Sequence, residues 1–172
     1  MKILTSLTIL LLIVLETIGQ PSDFSRDFSP LWERACDYTL EVAEAMPEEH
    51  YSFQPTEKVM SFQAELLHIT LNLYGLCSRY VKEEKVQTPD KDKDYTKKEL
   101  ITELKKAFDY VNKTLGTISD SEIRKEIKLF TGDYYKKERL FYLMRDHMTH
   151  HRAQMITYLR MNNIEPPSYR GW

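Results

Sequence analysis

Between residues 62 and 80 the apolar positions Phe62, Leu66, Ile69, Leu73, Leu76 and Tyr80 recur at steps of 4, 3, 4, 3 and 4. A run that keeps this period draws one apolar stripe along an α-helix, and no strand can put those residues on a common face. The stripe must be covered by other elements, so the fold question becomes which segments repeat the pattern. Three do. Ser29 followed by Pro30 reads as an N-cap and first helical residue, and Leu31, Ala35, Thr39, Val42 and Met46 continue at helical spacing until Pro47. Thr96 and Glu99 form a T-x-x-E capping box ahead of Leu100, Leu104, Ala107, Phe108, Val111 and Leu115, with Gly116 as the stop. A last helix is expected from about residue 135 to 161, before Pro166 and Pro167.

The segments between these helices lack a period. Residues 47–60 carry Pro47 and Pro55 among polar side chains and are expected to form a long ordered loop. In residues 88–95, Asp90, Asp92 and Asp94 imitate the start of a calcium loop. Tyr95 stands where the sixth position needs glycine, and Ile101 where the twelfth needs glutamate, so a solvated linker is expected. Two long connections and a short third one predict an all-α four-helix bundle that is not simply up-down-up-down.

The first nineteen residues have another meaning. Lys2 precedes an apolar run, LTILLLIVL at residues 7–15, which is too short to span a bilayer and of the length a secretory signal uses. Thr17 and Gly19 suit a cut before Gln20, giving a signal peptide at 1–19 and a single exported domain at 20–172, periplasmic or extracellular, with no stable membrane span after cleavage. Export permits disulfides. If the helices bearing Cys36 and Cys77 are antiparallel neighbours, however, the two are offset by about 9 Å along the axis, and buried free thiols are expected.

Composition excludes several functions. The chain carries 24 Lys and Arg against 26 Asp and Glu, leaving no basic footprint for nucleic acid. Its five glycines are scattered, which removes dinucleotide fingerprints and phosphate-cradling loops.

What remains is histidine chemistry. His147 and His151 stand four residues apart on the apolar side of the last helix, with Leu140, Met144, Met155 and Tyr158, and two imidazoles so placed can hold one transition metal. Met148 replaces the glutamate of H-E-x-x-H, so zincin-type proteolysis is excluded. His68 lies about 120° round its helix from the stripe centre, sharing a direction with Ala64, Asn72 and Gly75. From the residues alone it is either a ligand or a hydrogen-bonded core histidine.

The stretches ERACDYTLEVAEAMPEEHYSFQP at 33–55, SFQAELLHI at 61–69 and DHMTHHRAQMITYLRMNNIEPPSYRGW at 146–172 resemble the DinB/YfiT-like metal-binding four-helix-bundle family. The resemblance covers essentially all of residues 20–172. It implies a bundle with a long crossover between the second and third helices, frequent homodimerisation, and a metal triad that falls here on His68, His147 and His151. His50 and His150 match no ligand position and are expected to be solvated. Ala153 departs from the glycine common in the family's H-R-G-Q run, while Arg152 and Gln154 keep it.

Three imidazoles leave coordination positions open, the mark of a catalytic rather than a structural site. Zinc or nickel is expected first, although imidazole ligands alone do not select among divalent transition metals. Glu65, Asn72 and Gln154 stand three or four residues from the ligands, close enough along the helix to orient an imidazole. The resulting expectation is a divalent-metal-dependent enzyme acting on a small molecule, either a thiol S-transferase using a low-molecular-weight thiol or a hydrolase, with its catalytic residues unassigned. The alternatives are an exported metal-binding protein without turnover, its open positions blocked by a side chain or by Tyr169 and Trp172 of the tail, and a purely structural bundle.

Overall fold

The computed structural model describes residues 21–170. The signal peptide expected at 1–19, Gln20 and Trp172 lie outside the described residues. No helix among the described residues is long and apolar enough to cross a membrane.

Four long helices carry the fold: α1 (Asp23–Ala45), α2 (Phe62–Leu76, continued by a π-helical turn, Cys77–Lys82), α3 (Lys97–Thr117) and, after a short α4 (Asp120–Ile123) and a hairpin, α5 (Glu138–Met161). Three of the four long helices start on a capping side chain. Ser22 accepts from the Ser25 backbone N–H at 3.0 Å, and Ser61 accepts from that of Ala64 at 3.2 Å. The expected capping box is present: the Glu99 N–H donates to the Thr96 hydroxyl and the Thr96 N–H to the Glu99 carboxylate.

Helix α1 begins seven residues before Pro30, not at it. A proline at that depth removes the bond to the Arg26 carbonyl, but both residues are exposed, so water can solvate the freed oxygen. The gain is aromatic packing. Phe28 is buried, stacks on Phe24 at 5.1 Å and meets Tyr142 of α5 edge-on at 5.1 Å, contacts that exist only if the helix starts early.

The directions of the helices follow from their cross-contacts. The α1 end bearing Phe28 meets Phe141 near the start of α5, and Ala35 meets Arg152 further along, so α1 and α5 run parallel. Cys77 touches Thr114 near the ends of α2 and α3, which also run parallel. Lys137, at the start of α5, reaches Val81 and Glu83 at the end of α2, while Tyr158 reaches Met60 just before α2, so those helices oppose. Two consecutive parallel helices need a long return, and residues 83–96 supply it, as the expected crossover between the second and third helices.

Around the bundle, α1 packs on α3 and α5, and α2 packs on the same two, so α1 and α2 sit across the diagonal. The assumption that they are neighbours is thereby corrected; Cys36 and Cys77 are both free and buried. The loop after α1 is held by Tyr51, whose hydroxyl donates to the Ala43 carbonyl at 2.8 Å and whose own carbonyl accepts from the Gln63 N–H.

The third connection is not short. It contains α4 and an antiparallel hairpin of β1 (Glu126–Lys128) and β2 (Tyr134–Lys136), with Ile127 opposite Tyr135. Strand β2 occupies residues expected to open the last helix. Gly132 turns the hairpin at φ +93°, where a side chain would be strained. The whole segment is pinned by Lys137, which is 1% exposed and donates to the Val81 carbonyl at 2.9 Å, to Glu83 at 2.8 Å and to Glu122 at 2.5 Å.

Candidate metal centre

The α2–α5 contact brings together one histidine from the first of these helices and two from the second. The Nε2 of His147 lies 3.2 Å from the Nε2 of His68 and 3.2 Å from the Nε2 of His151. One nitrogen from each ring falls within 4.8 Å of the others. His68 lies off the α2 stripe because that helix has two partners: the stripe serves the bundle interior, and the flank bearing His68 meets α5.

These spacings test whether a metal fits. Two nitrogens at about 2.05 Å from one zinc in tetrahedral geometry stand about 3.3 Å apart, and in octahedral geometry about 2.9 Å. The observed 3.2 Å lies between. Hydrogen bonding alone serves the cluster less well. The Nδ1–H of His151 donates to Glu65 Oε2 at 2.5 Å, so a neutral His151 presents a lone pair at Nε2. One proton on the His147 Nε2 would have to be shared between two neighbours, whereas a cation satisfies all three lone pairs.

Glu65 is fully buried, one turn before His68, and its second oxygen accepts from the Tyr158 hydroxyl at 3.5 Å. The single proton of that hydroxyl is shared with the nearer Met60 carbonyl, at 3.1 Å. Burial pushes the Glu65 carboxyl above its ordinary range, and His68 and the Tyr158 hydrogen bond pull it back. Burial, joined by the neighbouring imidazoles, holds His147 and His151 down at about 4. Both are therefore neutral near pH 7, the form in which imidazole binds a metal.

The other expected orienting residues sit elsewhere. Gln154 lies 3.1 Å from the Nε2 of His150, which is exposed, as is His50. Asn72 makes no hydrogen bond through its buried Oδ1 and borders a separate cavity with Gly75 and Phe130. Tyr169 packs edge-on against Tyr38 of α1 at 6.3 Å, on the side of α5 turned away from His147 and His151. Sequence reasoning missed Tyr158 as the partner of Glu65; the signal was its place two turns beyond His151 on the same face.

The family profile of DinB matches residues 23–170. The chain belongs to the DinB family. An uncharacterised protein of Bacillus subtilis (strain 168), YjoA, is 27% identical over 136 residues, spanning 77% of this chain and 87% of that protein. Among solved structures, a DinB-like protein from Bacillus cereus ATCC 10987 superposes with a TM-score of 0.74 at 16% identity, covering 84% of this chain and 97% of the other. The DinB-like YjoA structure from B. subtilis gives 0.68 at 22% identity, covering 85% and 99%. At those identities the likeness establishes the fold of this DinB-family chain.

Proposed function

We propose that this DinB-family protein is a divalent-metal-dependent enzyme acting on a small molecule, with hydrolysis as the leading reaction and thiol S-transfer as the other. The observation that carries the reading is the convergence of three imidazole nitrogens, that of His147 lying 3.2 Å from each of the other two, with the His151 ring fixed by a buried carboxylate. His68, His147 and His151 would hold the ion, zinc or nickel first. The group would supply Lewis acidity when bound.

The chain's own residues do the rest. Glu65 fixes the His151 tautomer by accepting its Nδ1 proton, and Tyr158 steadies Glu65 from the far side. Among the described residues three protein ligands, not four, leave room for a substrate atom, and Tyr169 packs on Tyr38 instead of the triad. Hydrolysis leads because an apolar leader of secretory length would send the chain to a compartment poor in reduced thiols. Homodimerisation is part of the same proposal.

The test is consumption of a chromogenic ester and of an electrophile, each with and without a low-molecular-weight thiol, by protein loaded with zinc or nickel. Thiol-independent ester turnover that is lost in His68→Ala supports the hydrolase. Turnover of the electrophile only with thiol present moves the assignment to the transferase. No metal-dependent turnover of either class rejects the enzyme and leaves a binding protein.

A further inference from the structure

On the opposite side of α5 from the histidines, a cavity of about 440 Å³ opens between α1 and α5. At 100° per residue, Arg145, Thr149 and Arg152 point about 150° away from His147 and His151, so the two sites share a helix and no wall. The volume falls within the range of small-molecule sites, about 300–1,000 Å³.

Its charge is unusual. Arg145, at the rim, is paired with Asp146, and Arg170 with Glu41. Arg34 and Arg152, which also line the cavity, have no carboxylate within ion-pair distance among the described residues. Arg152 is only 8% exposed. A buried guanidinium without a counter-charge is costly, and neutral acceptors offset the cost only in part. Its Nη1 donates to the Ala35 carbonyl at 3.0 Å and to the Thr39 hydroxyl at 3.1 Å, and its Nη2 donates to the Thr149 hydroxyl at 3.1 Å. The Tyr38 ring covers one face at 4.8 Å from Cζ. That leaves Nε–H and one Nη2–H without partners among the described residues. Free guanidinium donors on Arg152, beside a second arginine without a carboxylate, suit an anion whose two oxygens can accept from both residues.

The rest of the lining is Asp146, whose carboxylate is paired with Arg145, Thr149, which accepts from Arg152, and an apolar wall from Leu31, Ala35 and Tyr169. We propose that this cavity is a second binding site, which takes a small organic carboxylate: the carboxylate bridges Arg152 and Arg34, and the apolar body rests against Leu31, Ala35 and Tyr169. A second copy of the chain docking here by the same face would set its arginines against these, which disfavours that occupant. Inorganic phosphate meets the charge but leaves the apolar wall uncovered.

The test is calorimetric titration of the parent chain at constant ionic strength with benzoate, with the neutral isostere benzamide and with inorganic phosphate. One saturable site for benzoate below about 10 mM, no saturation by benzamide and at least tenfold weaker binding of phosphate are expected. Arg152→Met and Arg34→Gln should each weaken benzoate at least tenfold. Should Arg152→Met fail to fold, as judged by its helical signal, the half-buried Arg34 and the benzamide control still decide. The titration is repeated in His68→Ala, where benzoate binding should persist; its loss there would place the carboxylate at the histidines and overturn the proposal. Equal binding of benzoate and benzamide, phosphate as tight as benzoate, or no effect of Arg34→Gln would equally overturn it.

Discussion

Replacing Glu65 with glutamine probes the metal centre without changing its shape. The carboxylate is fully buried and accepts the His151 Nδ1 proton at 2.5 Å, a charge-assisted bond about twice as strong as its neutral counterpart. Glutamine can still accept that proton through its amide oxygen but carries no charge to raise the basicity of the ring. Loss of a carboxylate behind a ligating histidine costs about 10–100-fold in metal affinity, or about 1.4–2.7 kcal/mol. The metal-free fold should change by less than about 1 kcal/mol, since the charge lost was itself expensive to bury. Competition against a chromogenic zinc chelator measures the first quantity, and urea unfolding in the presence of a stronger chelator the second. Zinc affinity within twofold of the parent would refute the reasoning and reduce Glu65 to a core hydrogen-bonder. So would a metal-free variant that no longer folds.

Other consequences can be measured independently. His147 and His151 are held at about 4 against an ordinary 6.5, so the unfolded chain binds more protons between those values; stability of the metal-free protein should be full above about pH 6.5 and fall toward pH 4. Glu65, raised by burial, works in the opposite sense. Urea midpoints across that range should show the fall, and its persistence unchanged in His147→Gln would assign acid sensitivity elsewhere. Lys137→Met leaves the Val81 carbonyl without its donor and should cost about 1–3 kcal/mol in urea unfolding; an unchanged midpoint would show that the pin is dispensable. Both thiols are buried, with Cys77 pushed up to about 11 and Cys36 higher still, so iodoacetamide should label neither until the protein unfolds. Labelling of the native chain within minutes would contradict that burial.

Much of the bundle is legible in local chemistry. The Thr96–Glu99 box and the stripe from Phe62 are decided by neighbours within a few residues, and both appear in the structure as expected. The start of α1 is not, because the benefit that carries the helix past Pro30 comes from Phe141 and Tyr142, more than a hundred residues away. The hairpin eludes a pattern search because its strands are three residues each, too short to establish a period of two. In the candidate site, the spacing of His147 and His151 is written in the sequence, while the role of His68 depends on which helix covers the flank of α2. Arg152 shows the same limit: in the sequence it stands out only as keeping the H-R-G-Q run, and only the packing of α1 reveals it as buried among neutral acceptors.

The most direct test is the metal content of the chain from Gln20, purified without a histidine tag, beside His68→Ala and His147→Ala/His151→Ala. The account predicts about one equivalent of a divalent transition metal in the parent, lost in both variants while the helical signal remains. No metal in the parent, even after incubation with zinc and with nickel, would contradict it.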